Sequence, residues 1–130
     1  MAINHTVSIV WSSSSDRVSE SVTRSNSASD AITETVPGPS TNLQLVYTLD
    51  VSAAKVIVLS CDQDLTIKTN STSSPAATVS LKAGCPLHWD SECAYFTNPF
   101  GSTDITTLYV TTAATDDATF YLRVLKDPTP

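Results

Sequence analysis

Thr119-Phe120-Tyr121-Leu122-Arg123-Val124-Leu125 sets Phe120, Leu122 and Val124 on one parity and Tyr121 and Arg123 on the other. Successive side chains of a strand leave on opposite faces, so this stretch predicts a half-buried β-strand with its apolar set turned inward. The same alternation runs back through the chain. Leu108 and Val110, Val79 and Leu81, and Leu65 and Ile67 share a parity, with Thr66, Lys68, Ser80 and Lys82 on the wet side. Leu43, Leu45, Tyr47 and Leu49 repeat it, and Val7, Ile9 and Trp11 alternate with Thr6 and Ser8 to form a first strand with an aromatic anchor at its end. The continuous run Val56-Ile57-Val58-Leu59 is far shorter than the roughly 20 residues of a membrane helix and predicts a central strand buried on both faces.

Between these strands the punctuation is that of turns. Ser12 to Ser15 stops the first strand, Pro37-Gly38-Pro39 closes the first section, and Asn70 to Pro75 is a long polar turn. Ile105 to Thr112 and Thr119 to Leu125 read as a closing antiparallel pair joined through Ala114-Thr115-Asp116-Asp117. From Asp16 to Val36 apolar residues thin out to Val18, Val22, Ile32 and Val36, which suggests two sparse strands joined around Ser25-Asn26-Ser27. Eight to ten short strands without an amphipathic helix predict an all-β fold, an antiparallel two-sheet β-sandwich of jelly-roll type. A chain of 130 residues has room for one ordinary core. The expectation is a single sandwich domain over 1–130, with 12–40 a polar hairpin or arm.

Ser and Thr fill more than a quarter of the positions and supply most of the polar surface, a composition that suits pleated sheet better than helix. The net charge of −6, without any basic run, argues against a nucleic-acid partner, since phosphate binding needs clustered Lys and Arg. No secretory signal or membrane span is visible, so synthesis in the cytoplasm is expected.

Cys61, Cys85, His88 and Cys93 are the residue types of a zinc site, but Cys-x-x-Cys is absent and structural zinc usually takes such local pairs. Free thiols are expected instead. A Cys85–Cys93 disulfide closing the loop around Trp89 is the alternative. No nucleophile elbow or triad pattern surrounds His5 or His88, and the aspartates fall in expected turns, where their side chains bond the local backbone. A non-enzymatic protein with no cofactor and no metal is therefore expected. The aromatic group Trp89, Tyr95, Phe96 and Phe100 has two readings: rings that fill the core, or rings that anchor a partner, as aromatic residues do at interface hot spots. Val18, Val22 and Ile32 of the sparse section are the other candidate contacts.

Leu65-Thr66-Ile67-Lys68-Thr69-Asn70-Ser71, Val79-Ser80-Leu81-Lys82-Ala83-Gly84-Cys85-Pro86-Leu87-His88-Trp89, Tyr95-Phe96-Thr97-Asn98-Pro99-Phe100, Leu108-Tyr109-Val110-Thr111 and Leu122-Arg123-Val124-Leu125 form a pattern over the C-terminal half. This pattern resembles small β-rich virion structural proteins of tailed double-stranded-DNA bacteriophages. The resemblance implies a virion component made in the host cytoplasm, a decoration or cement protein on the outer capsid surface. Its partners would then be the major capsid protein and further copies of itself, as a homotrimer. The alternative role is a virion-surface or tail β-sandwich module that binds host glycans.

Overall fold

A computed structural model describes residues 2–93 and 95–127. Its described residues form ten strands and one short 3-10 turn, Val51–Ala53, with Asp50 capping the turn. The strands are β1 (Ile3–Ser12), β2 (Arg17–Asn26), β3 (Ala28–Val36), β4 (Ser40–Leu49), β5 (Ala54–Cys61), β6 (Leu65–Thr69), β7 (Thr78–Leu81), β8 (Leu87–Asp90), β9 (Ile105–Thr112) and β10 (Ala118–Lys126).

Eight of them make two four-stranded antiparallel sheets, ordered β3-β10-β5-β8 and β4-β9-β6-β7. The pairing is nested: β3 lies against β10, β4 against β9, β5 against β8 and β6 against β7. Pairs β10–β5 and β9–β6 then complete the sheets. A long hairpin rolled up in this way is a jelly roll, so the all-β sandwich read from the alternation is the fold.

The inner faces carry the predicted apolar sets. Phe120, Leu122 and Val124 sit opposite Cys61, Leu59 and Ile57, while Val110 pairs with Ile67 and Ile67 with Val79. All of these are buried in one cluster that also holds Leu81, Trp89, Phe100 and Leu108. Of the strand residues expected inside, Val58 is only partly buried, because it points to the outer face of its sheet, and Leu43 and Leu45 of β4 pack against the core while staying partly buried.

Two expected pairings are corrected. β9 and β10 are not partners; they lie in different sheets, and the short connection between them crosses the edge of the sandwich. Likewise the segment 12–40 does not pair with itself. Ser27 separates β2 from β3 where a turn was expected, but β2 pairs with β1 over its whole length and β3 is an edge strand of the sandwich, paired with β10. The hairpin that stands apart is therefore β1–β2, spanning residues 3–26.

That hairpin is amphipathic. Directly opposed residues of an antiparallel pair point to the same face, so Val7/Val22, Ile9/Glu20 and Trp11/Val18 share one face with His5/Arg24. The other face is largely hydroxyl, with Thr6 bonded to Thr23 and Ser8 to Ser21. Burial follows the face and falls toward the tip: Ile3, His5, Val7, Val22, Arg24 and Asn26 are half-buried, while Ile9, Trp11 and Val18 are open. The base of the hairpin lies over the outer face of the first sheet. There Val56 and Leu125, a cross-strand pair of outward parity, are fully buried yet stand outside the main core cluster. Contacts between β2 and β10 supply their cover, which is why β5 reads as an unbroken apolar run.

Candidate functional site

The hairpin is tied down at its base. Arg24 Nε donates to Asp90 Oδ2 at 2.7 Å and Arg24 Nη1 lies 3.1 Å from Glu92 Oε2. Asp90, at the end of edge strand β8, also accepts from the Glu92 amide at 2.8 Å. Burial by itself would raise the Asp90 carboxyl, but the Arg24 guanidinium and the Glu92 amide outweigh it and hold the group below the usual carboxylate range. Across the ribbon, His5 Nε2 lies 3.0 Å from Ser29 Oγ, and partial burial lowers the pKa of this imidazole.

Beyond this tether the hairpin overhangs β8 and the loop that follows it. The space between is a cleft of about 1040 Å³. One wall is the apolar face of the hairpin, Val7, Ile9 and Val22 with Glu20; the other is Leu87, His88 and Trp89 of β8 with Tyr95 and Phe96. Trp89 Nε1 donates to the Phe96 carbonyl at 3.1 Å, which pins the loop to the strand. Tyr95 is 94 % exposed and Phe96 53 %. His88 Nε2 is buried and has no hydrogen-bond partner among the described residues.

The candidate contacts thus separate. Val22, Trp89, Tyr95 and Phe96 meet at the cleft, Trp89 as its floor and a member of the core. Val18 stands opposite Trp11 near the hairpin tip. Phe100 is fully buried in the sandwich, and Ile32 packs against the core from β3 while its carbonyl accepts from Arg123 Nη1. Trp11, expected as an anchor, is 55 % exposed, with Ile9 at 62 % and Val18 at 52 % beside it. Neither His88 as a polar group of the cleft nor Arg24 as the tether is legible in the sequence, because both depend on contacts distant in the chain. The signal for the open tip was present, since Val7, Ile9 and Trp11 continue an apolar parity up to the serine run.

Cys61, Cys85 and Cys93 are free thiols, Cys61 buried and the others exposed. Burial, then the nearby Asp64 and Asp62, pushes the Cys61 thiol up, which keeps it protonated and unreactive. No cluster of three potential metal ligands occurs among the described residues. Chemically the cleft offers a large apolar surface and two exposed rings, the properties of a surface that receives another molecule's side chains. No protein-family model matches the chain, and no curated protein and no solved structure is significantly similar to it.

Proposed function

We propose that the protein is a non-enzymatic structural component of a tailed-phage virion, a decoration protein that binds the major capsid protein on the outer shell as a homotrimer and reinforces it. The observation that carries this reading is the amphipathic β1–β2 hairpin, whose apolar face runs past the body that anchors it and ends exposed at Ile9, Trp11 and Val18. Such a face on a small, tightly packed jelly roll suits a module that docks onto a larger assembly. Jelly rolls recur in viral capsid proteins, an argument by analogy of fold, and the sequence pattern of the C-terminal half supports the same assignment. A protein that binds only the assembled shell stabilises that shell by mass action.

The alternative, a virion-surface module for host glycans, draws on the exposed ring of Tyr95. Its neighbours favour a protein partner, because the adjoining cleft is walled mainly by Val, Ile, Leu and aromatic side chains rather than by the polar groups that read sugar hydroxyls.

The test is saturation binding of the purified chain to expanded shells that lack it, with copies counted against the major capsid protein. Hundreds of copies per shell and a higher disruption temperature are expected. A handful of copies would move the protein to a tail or vertex, and no binding would overturn the assignment.

A further inference from the structure

We propose that Cys61 and Cys85 are an oxidation site, a pair of thiols that closes into a cross-strand disulfide when the folded chain meets a small-molecule disulfide such as oxidised glutathione. The site is independent of the capsid assignment.

Register brings the two residues together. β5 and β8 run antiparallel with Val56 opposite Asp90 and Leu59 opposite Leu87, so two further steps set Cys61 against Cys85. The strands stay side by side over those steps, because the Gly84 amide donates to the Cys61 carbonyl at 3.0 Å. Gly84, at φ 72°, takes the extra place of a glycine bulge, in which two residues of one strand oppose one of the other. The Cys85 amide then closes a tight turn onto the Lys82 carbonyl.

Parity agrees with register. Cys61 continues the inward set of Ile57 and Leu59, and Cys85 shares the parity of Leu87 and Trp89, which pack on the same core. Opposed residues of an antiparallel pair hold their Cβ atoms about 4.5–5.5 Å apart, and a disulfide closes at about 3.5–4.5 Å, so an adjustment of about 1 Å in a turn suffices. The thiols already act on one another, since Cys85 is among the groups that push the Cys61 thiol up. Cys93 has no such access to Cys85. The extended strand β8 separates them, and the Cys93 sulfur accepts from Arg24 Nη2 at the other end of that strand.

Exposure sets the order of events. Cys85 is open to solvent, while Cys61 is 5 % exposed and cannot begin an exchange with a solute. The Cys85 thiolate attacks one sulfur of the small disulfide; a mixed disulfide forms, the original S–S bond breaks, and the departing thiolate takes up the proton that Cys85 released. Cys61 then gives up its proton and attacks the Cys85 sulfur, expelling the second thiolate, which takes that proton. Two protein thiols are oxidised by two electrons and one small disulfide is reduced to two thiols. The thiolate fraction of Cys61 is small, but its attack is intramolecular, and proximity offsets that deficit. The bond ties the core strand β5 to the start of β8, the edge strand that walls the cleft and carries Asp90, and closes a loop that contains β6 and β7.

The test holds the full chain, reduced and without denaturant, in oxidised glutathione, blocks remaining thiols by alkylation, and reads intact mass and linked peptides. The chain should lose the mass of two hydrogens, with Cys61 joined to Cys85, and Cys93→Ser should behave in the same way. Cys61→Ala should stop at the glutathione adduct on Cys85, and Cys85→Ser should form no bond within the chain. The linked chain should unfold at a higher urea concentration than the reduced one, as closure of a long loop predicts, and dithiothreitol should return it to the reduced midpoint. An intact chain that keeps glutathione on Cys85 beside a free Cys61, a Cys85–Cys93 bond, a Cys61–Cys85 bond that forms only in urea, or a linked chain whose midpoint fails to rise would each overturn the site.

Discussion

Arg24 on β2 and Asp90 on β8 meet at 2.7 Å although 66 residues separate them, and through this pair the hairpin is fastened to the far edge of the sheet it crosses. Asp90 is almost wholly enclosed, with 1 % of its side chain exposed, so the guanidinium is what permits a carboxylate at this position. Replacing Arg24 by Ala should free the base of the hairpin without unfolding the jelly roll. Hydrogen exchange should accelerate about tenfold or more across 3–26 while β5 and β10 stay protected, as expected of a separately opening unit. Equal acceleration in both regions would show that the hairpin and sandwich open as one.

Acid should release this base in two stages. His5 has a lowered pKa, so the unfolded chain takes up that proton first; its contribution is complete above about 6.5 and declines as pH falls below that value. Asp90 is also lowered, so its contribution is present above about 3.9 and is lost as pH falls through the still lower folded value. Side-chain NMR titration should place both midpoints under these reference values. An Asp90 midpoint at or above the reference would mean that the pair with Arg24 is not formed in solution.

Leu122 lies at the centre of β10, facing Leu59 on one side and Ile32 on the other, and is fully buried. Leu122→Ala should destabilise the fold by about 2–5 kcal/mol through lost burial and the cavity left behind. Val46→Thr, on the open face of β4, should change stability by less than about 0.5 kcal/mol. Urea unfolding of the two variants compares them directly. Equal losses would contradict the strand parity.

The Pro37–Pro39 corner packs directly on the 113–117 connection, where the Gly38 amide donates to Asp117 Oδ1 at 3.2 Å. A methyl group on Gly38 would overlap the carbonyl oxygens of Asp116 and Ala114, backbone atoms that cannot swing aside. Gly38→Ala should therefore cost about 1–3 kcal/mol or more, measured by chemical denaturation. A neutral result would mean that the two corners part easily.

Tyr47 joins the sheets at one end: from β4 its hydroxyl donates to Asp30 Oδ2 on β3 at 2.8 Å, and Lys126 on β10 reaches the same oxygen at 3.0 Å. Burial, with Asp30 adding to it, pushes the Tyr47 phenol far above its ordinary value. The unfolded chain gives up this proton first, so the contribution holds below about pH 10 and is lost as pH rises beyond it. Tyr47→Phe should cost about 1–2 kcal/mol at neutral pH, since Asp30 keeps Lys126, and should flatten the alkaline fall in stability. An unchanged alkaline profile in the variant would remove Tyr47 as its source.

Alternation alone determined that this chain is all-β, which residues of the alternating sandwich strands face inward, though not those of the unbroken apolar run in β5, and that Val7, Ile9 and Trp11 share a face, because the two-residue period of a strand is a local property of the backbone. The partner of each strand is not local. β9 and β10 are neighbours in the chain with matching apolar parity, yet each completes a different sheet, because the jelly roll pairs strands from opposite ends of a rolled hairpin. For the same reason the sparse residues from Arg17 to Val36 divided between a free-standing ribbon and the sandwich edge: β2 and β3 are alike in pattern, and β10 accepts β3 alone. The aromatic cluster divided too. Phe100 went to the core while Tyr95 and Phe96 stayed at the surface, since composition records that rings are present and only the packing of Trp89 against the loop decides which ones run out of room inside. The cleft itself belongs wholly to tertiary structure, formed where a ribbon tethered by Arg24 to Asp90 passes over an edge strand 66 residues away and continues beyond it.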